Sequence, residues 1–285
     1  MNNDGNTKVL ELNNIAKDLR RQIFKMIYKA GGGHIGPSFS IVEILTALYF
    51  GGLMRYEASS PNMPERDRFI LSKGHASAAL YAVLARSNFF EKQLLNKYCQ
   101  PGCILGGHPN MRQIPGVEAS TGALGHGLLY AVGIAMAGKI DEQDYHVFTV
   151  LGDGECQEGS IWEAALFAAQ HKLNNLTVII DYNKLQAMDH LENIIKMEPF
   201  VDKWRAFGWD VTEVDGHDME GLLRTLSKTK KSVGLPNLVI AHTIKGKGVS
   251  FMENMPLWHY RLPNTEEMKI VADELEFSLQ EMDNL

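Results

Sequence analysis

The chain has 285 residues, 45% of them hydrophobic and 22% charged, and carries a net charge of -6. That is the composition of a soluble globular protein with one sizeable core, and the acidic balance argues against a dominant nucleic-acid-binding role. No apolar stretch approaches the roughly 20 residues of a membrane span, the N-terminus is polar, and three cysteines complete neither a zinc site nor a disulfide framework, so reduced thiols in the cytoplasm are expected.

In chain order, Leu12, Ile15, Ala16, Leu19, Ile23, Met26 and Ile27 repeat with a helical period and predict a helix over 10–30, stopped by Gly31-Gly32-Gly33. His34 follows in a loop. Ser40 is an acceptable N-cap for a second helix that ends at Gly51-Gly52. Arg68–Leu71 reads as a short strand from which Ser72-Lys73-Gly74-His75 turns into a helix over 76–85. Residues 101–127 are rich in glycine and proline and contain Gly107-His108-Pro109 and Gly122-Ala123-Leu124-Gly125-His126-Gly127, an irregular stretch long enough to suggest function. The small-residue run 128–137 predicts a buried helix leading to a central strand over 147–151. Strands over 210–214 and 237–241, a helix over 219–227 between them, and a tail helix over 265–282 complete the pattern. The alternation predicts one domain over 1–285, with its core at about 10–265: an α/β fold with a mostly parallel sheet and helices on both faces.

The most informative feature is Gly152-Asp153-Gly154 at the end of the strand Val147–Leu151, answered some thirty residues later by Asn183 at the end of another strand. Alone, Gly-Asp-Gly is usually a turn. Strand, turn, helix and second strand make a βαβ unit, and ligands of parallel sheets collect outside the carboxyl ends of strands. The Asp153 carboxylate and Asn183 amide can therefore approach one ion. Both are hard oxygen donors suited to magnesium, which takes its remaining ligands from phosphate and water, so a diphosphate cofactor is implied. Five histidines, His34, His75, His108, His126 and His259, stand beside glycine or proline or in predicted loops, where they can converge on one pocket and exchange protons with sugar hydroxyls.

The spacing from Gly152 to Asn183 resembles the thiamine diphosphate signature. Gly33-His34-Ile35-Gly36, Ser72-Lys73-Gly74-His75, Gly107-His108-Pro109, the 121–127 glycine loop and Trp258-His259 are similar, in order, to the amino-terminal domain of transketolases, over about residues 10–265. The resemblance implies the thiamine diphosphate-binding fold, with His34, His108 and His259 lining a substrate channel and His75 between cofactor phosphate and substrate. It also implies cofactor contacts from Gly122, Leu124 and Gly154, and magnesium held by Asp153, Asn183 and the Leu185 carbonyl. Glu158 would lie at a junction with a partner domain, close to the cofactor, and His242 and Lys245 would lie near the cofactor or acceptor sugar. Tyr260 and Arg261 depart from the family pattern and would add bulk and positive charge at the substrate mouth.

In that family the cofactor's pyrimidine ring is held by a second domain, for which the sequence ending at Leu285 leaves no room. The resemblance thus implies a separate pyrimidine-binding C-terminal subunit, a heterotetramer, and transfer of a two-carbon ketol unit between sugar phosphates, as in the pentose phosphate pathway. Three other readings stay open: a subunit for a sulfonated, branched or amino sugar, the alpha subunit of a 2-oxo acid dehydrogenase, and a non-catalytic regulatory subunit.

Overall fold

A computed structural model of the chain describes residues 3–278 and 280. Five strands, β1 (Arg68–Leu71), β2 (Val147–Gly152), β3 (Leu176–Tyr182), β4 (Asp210–Asp215) and β5 (Asn237–His242), form one sheet in the order β1-β2-β3-β5-β4. Every pairing is parallel. The centre of the sheet is therefore β3, not the expected strand over 147–151. All seven residues of β3 are buried, which is why its sequence is a nearly unbroken apolar run.

Helices cover both faces, as the pattern predicts. Phe148, Val150, Ile179 and Val239 point into a core shared with α1 (Asn3–Lys29), α2 (Ile35–Phe39), α3 (Val42–Phe50), α4 (Ser77–Arg86), α9 (Met219–Thr229) and α10 (Thr265–Glu274). Val147, Leu151, Val178 and Ile180, the alternate residues of the same strands, point into a second core with α5 (His126–Ile140), α6 (Gly159–Gln170), α7 (Leu191–Ile194) and α8 (Phe200–Ala206). Two-residue strand periodicity thus divides the apolar side chains between two helical layers.

Four local expectations change. Ser40 does not cap a helix: α3 starts at Val42 behind the short α2, and the Ser40 hydroxyl donates to the Pro37 carbonyl at 3.0 Å and to Asp181 at 2.7 Å. A 3-10 helix over Lys92–Lys97 interrupts the connection before the glycine-rich stretch. α5 is longer than 128–137 and is buried on one side only, because Leu129, Tyr130 and Ile140 stand in solvent. α10, fixed by a capping box between Asn264 and Glu267, ends at Glu274; Leu279 and residues 281–282 of the expected tail helix lie outside the described residues. Among those residues no helix is long and apolar enough to cross a membrane.

Candidate functional site

The register sets Gly152 opposite Asp181 and Asp181 opposite Ala241, so β2, β3 and β5 finish level with one another. The segments leaving those ends, with Lys73 and His75 after β1, border a cavity of about 320 Å³. This is the position the βαβ argument expects.

Asp153 is 2% exposed, and its oxygens accept the amides of Gly154 at 2.7 Å and Lys184 at 2.5 Å. Burial, and then the charge of Asp181, push its carboxyl up to about 7. Asp181 shares the burial, but Lys73 forms an ion pair with it, and Thr243, Ser40 and Asn183 also donate to it, so its carboxyl is held below its ordinary value. Asp181 is thus a satisfied anion that anchors strand ends, whereas Asp153 is held by two backbone amides and pairs with no cation among the described residues. Asn183 accepts the Leu185 amide at 3.0 Å, and the Leu185 carbonyl accepts the Lys245 ammonium at 3.2 Å.

Four histidine rings meet on the other side of the cavity. His34 lies with its ring centroid 5.3 Å from that of His75, 6.3 Å from His108 and 5.2 Å from His259, and His75 lies 5.3 Å from His259. Burial and neighbouring positive groups push His34 down to about 4 and His259 to about 3, and hold His75 well below its ordinary value. These three rings are therefore neutral near pH 7, with one nitrogen free to accept and one to donate. The Nδ1 of His259 is buried without a partner among the described residues. Lys245, only 2% exposed, is pushed down to about 8 by burial and by Lys73. Basic side chains short of protons stand on one side and a carboxyl short of a cation on the other. That division suits a ligand carrying anionic oxygens together with a metal ion.

The glycine loops owe their shape to Glu155. This buried carboxylate accepts the Ser72 hydroxyl at 2.5 Å, the Gly125 amide at 3.0 Å and the Gly152 amide at 3.1 Å, binding three loops into one floor. Gly125 is left-handed, at φ +81°, and a Cβ there would stand 2.4 Å from the Ser160 hydroxyl, so only glycine fits this turn. Gly122, Leu124, Gly154 and Glu158 border the cavity beside this floor.

The cavity and its rim thus gather His34, His75, His108, His259, Gly122, Leu124, Asp153, Gly154, Glu158, Asn183, Leu185 and Lys245 of the residues expected from sequence. Two histidines stay outside. His126 opens α5 in solvent, its ring against the Leu124 carbonyl. His242, expected near the cofactor, is directed by strand alternation to the sheet edge, where its Nε2 meets Glu213 at 2.8 Å. Arg261 does not bring a free positive charge to the mouth, because Glu267 pairs with it at 2.9 Å and its guanidinium stacks on Trp258. Tyr260 does bring bulk, with its ring 4.9 Å from that of His34. Sequence reasoning assigns no role to Lys73, Asp181 or Glu155. Charged residues embedded in strand-end motifs are the available signal.

A diphosphate cofactor with magnesium can be tested against this donor set. Among the described residues no three His, Cys, Asp or Glu side chains are grouped to hold a metal, so a cation here takes one carboxylate, Asp153, with the amide oxygen of Asn183 and the carbonyl of Leu185. That is a hard, oxygen-only set with room for phosphate, and it fits magnesium. Lys245, His75 and the backbone around Gly154 fit the anionic oxygens.

Fold and site together define a parallel α/β domain with a polar ligand site at the carboxyl ends of its strands. A family model described as the transketolase thiamine diphosphate-binding domain matches residues 12–280. The chain is 43% identical over 264 residues to one of the two kinds of chain to which its own length corresponds, an apulose-4-phosphate transketolase subunit of Phocaeicola vulgatus, covering 93% of each chain. It is 43% identical over 268 residues to the 6-deoxy-6-sulfo-D-fructose transketolase subunit SqwG of a Clostridium species, covering 94% of this chain and 97% of the relative. It superposes on the crystal structure of transketolase from Campylobacter jejuni with a TM-score of 0.88 and 31% identity, over 98% of this chain and 44% of that one. The chain belongs to the transketolase family, as its thiamine diphosphate-binding domain, and spans less than half of the solved transketolase chain it matches.

Proposed function

We propose that the chain is the diphosphate-binding subunit of a two-chain transketolase, moving a two-carbon ketol unit from a ketose to an aldose with a separate pyrimidine-binding subunit. The observation that carries this reading is the buried, cation-short Asp153 facing Asn183 and the Leu185 carbonyl, opposite a cluster of four histidines. The two bacterial subunits that match it nearly end to end support the division into two chains. Bound thiamine diphosphate supplies a nucleophilic carbon and an electron sink for carbon-carbon bond cleavage.

The protein's own residues have separable tasks. Asp153, Asn183 and the Leu185 carbonyl hold magnesium, and Lys245 and His75 offset phosphate charge. His108, at the rim, and His34 receive sugar hydroxyls. The unpartnered Nδ1 of His259 is the atom best placed to take or return a hydroxyl proton, since a neutral imidazole is competent in both directions near pH 7. Presence of the whole constellation speaks against a non-catalytic regulatory subunit, and family membership speaks against a 2-oxo acid dehydrogenase.

The sugar is more open. Two relatives are named for a branched sugar phosphate and for a sulfonated ketose, and Tyr260 narrows the mouth over His34, so we favour an unusual sugar over the pentose phosphates of central metabolism. The partner docks against the outer face of α5 and α6, where Leu129, Tyr130, Leu166 and Phe167 are exposed; two copies of each chain would make a heterotetramer. Combining the chain with its pyrimidine-domain partner, thiamine diphosphate and magnesium, and profiling ketose donors, tests the reading. Ketol transfer that needs both chains and favours a branched or sulfonated ketose is expected; transfer by either chain alone would refute the division.

A further inference from the structure

Behind Lys245, on the side away from the cavity, lies a buried charged network that the proposed chemistry does not use. Glu43 on α3 is 7% exposed and Arg20 on α1 is likewise 7% exposed, and they pair through both carboxylate oxygens, at 2.6 Å each. Burial alone would raise the Glu43 carboxyl, but Arg20 and then His217 hold it down, to about 2. His217, in the turn after β4, donates from Nδ1 to Glu43 at 2.9 Å, and its Nε2 accepts the Ile244 amide at 2.8 Å. Arg20 donates from Nε to the Lys247 carbonyl at 2.9 Å. The loop from Thr243 to Gly248 is therefore gripped at two points, Ile244 and Lys247, which flank Lys245, and both grips end on one carboxylate.

We propose that His217 is a positioning residue for Lys245. An amide that donates to Nε2 fixes the ring in its Nδ1-protonated form, and Glu43 holds that proton, so the second bond sets the tautomer that makes the first. The grip matters because Lys245 is a long side chain crossing from its own loop to the Leu185 and Gln186 carbonyls, at 3.2 and 2.8 Å. Its ammonium reaches the cavity only while its backbone is fixed. Thr243 on the same loop reaches Asp181, so the grip also steadies the strand end that carries Asn183. The functional half of this inference rests on the cofactor reading above; the mechanical half rests on the loop alone.

The assembled two-chain enzyme is titrated by calorimetry with thiamine diphosphate and magnesium, for His217→Ala, Lys245→Ala and the double variant, and hydrogen exchange of segment 243–248 is followed in parallel. Loss of a bond to a buried amide is worth on the order of tenfold in affinity. His217→Ala is expected to weaken binding about tenfold and to speed exchange at Ile244, yet to add little once Lys245 is gone. His217→Gln, which can accept the Ile244 amide, should recover part of both effects and covers the case in which the alanine variant does not fold. Equal weakening with and without Lys245, or unchanged exchange at Ile244, would overturn the proposal. Should the wild type itself not bind the cofactor while exchange at Ile244 rises in the variant, the cofactor reading falls and the clamp stands.

Discussion

At the scale of single residues, the site is a set of groups kept away from their ordinary protonation. His34 and His146 are pushed down to about 4 and His259 to about 3, against an ordinary 6.5. Between those values the unfolded chain binds protons that the folded chain refuses, so stability falls as pH drops from about 6.5 toward 4. Asp153, pushed up to about 7, acts in the opposite sense, because its folded form binds a proton that the unfolded chain releases above 3.8. Three depressed histidines, with His75 in the same direction, outnumber it. The urea midpoint is expected to be lower at pH 5 than at pH 7; a higher midpoint at pH 5 would contradict the neutral cluster. His259→Ala should lower kcat of the assembled enzyme by about a hundredfold or more, the usual worth of a positioned acid or base, with a smaller change in KM. Most of these residues are legible in the sequence, because histidine beside glycine and Asp153 within Gly-Asp-Gly are marked by their neighbours. His242 reads the same way, yet its side of the strand is fixed by sheet register, which no local motif carries.

At the scale of elements, the loops at the strand ends are organised from below by charges that resemble ordinary surface residues in the sequence. Glu155 reads as an acidic residue in a first helical turn, where the helix dipole favours it in solvent. It is instead buried, with Ser72, Gly125 and Gly152 donating to it. Glu155→Gln turns an amide NH₂ toward one of those donors, so we expect a loss of about 2–3 kcal/mol in urea unfolding with unchanged slope, the usual effect of unsatisfied buried donors. Ser40 misleads for a related reason. Its hydroxyl serves Asp181, 141 residues away, and a cap is the nearer and more familiar use for a serine before an apolar run. Strands and long helices are recoverable because periodicity is local. The short α2 and the 3-10 helix over Lys92–Lys97 are not, since each is defined by packing rather than by repeat.

At the scale of the molecule, both faces of the sheet are covered, yet the outer layer is not polar throughout. Leu129, Tyr130 and Ile140 on α5 and Leu166 and Phe167 on α6 are exposed, Leu166 at 58% and Ile140 at 67%. The run 128–137 reads as a wholly buried helix because its residues are apolar on all sides; in a single chain only one side is used. Leu166→Asp with Phe167→Asp should leave the fold intact and abolish assembly with the partner, read as mass in solution by light scattering. Assembly unchanged by both substitutions would place the interface elsewhere. The account as a whole requires that Asp153 hold a metal ion for a diphosphate shared between two chains. Calorimetric titration of thiamine diphosphate and magnesium into this chain, then into the chain with its partner, then into the Asp153→Ala pair, tests that most directly. Tight binding only when both chains are present, lost with Asp153, is the predicted result. Binding that is undiminished in the Asp153→Ala pair, or absent in every mixture, would contradict it.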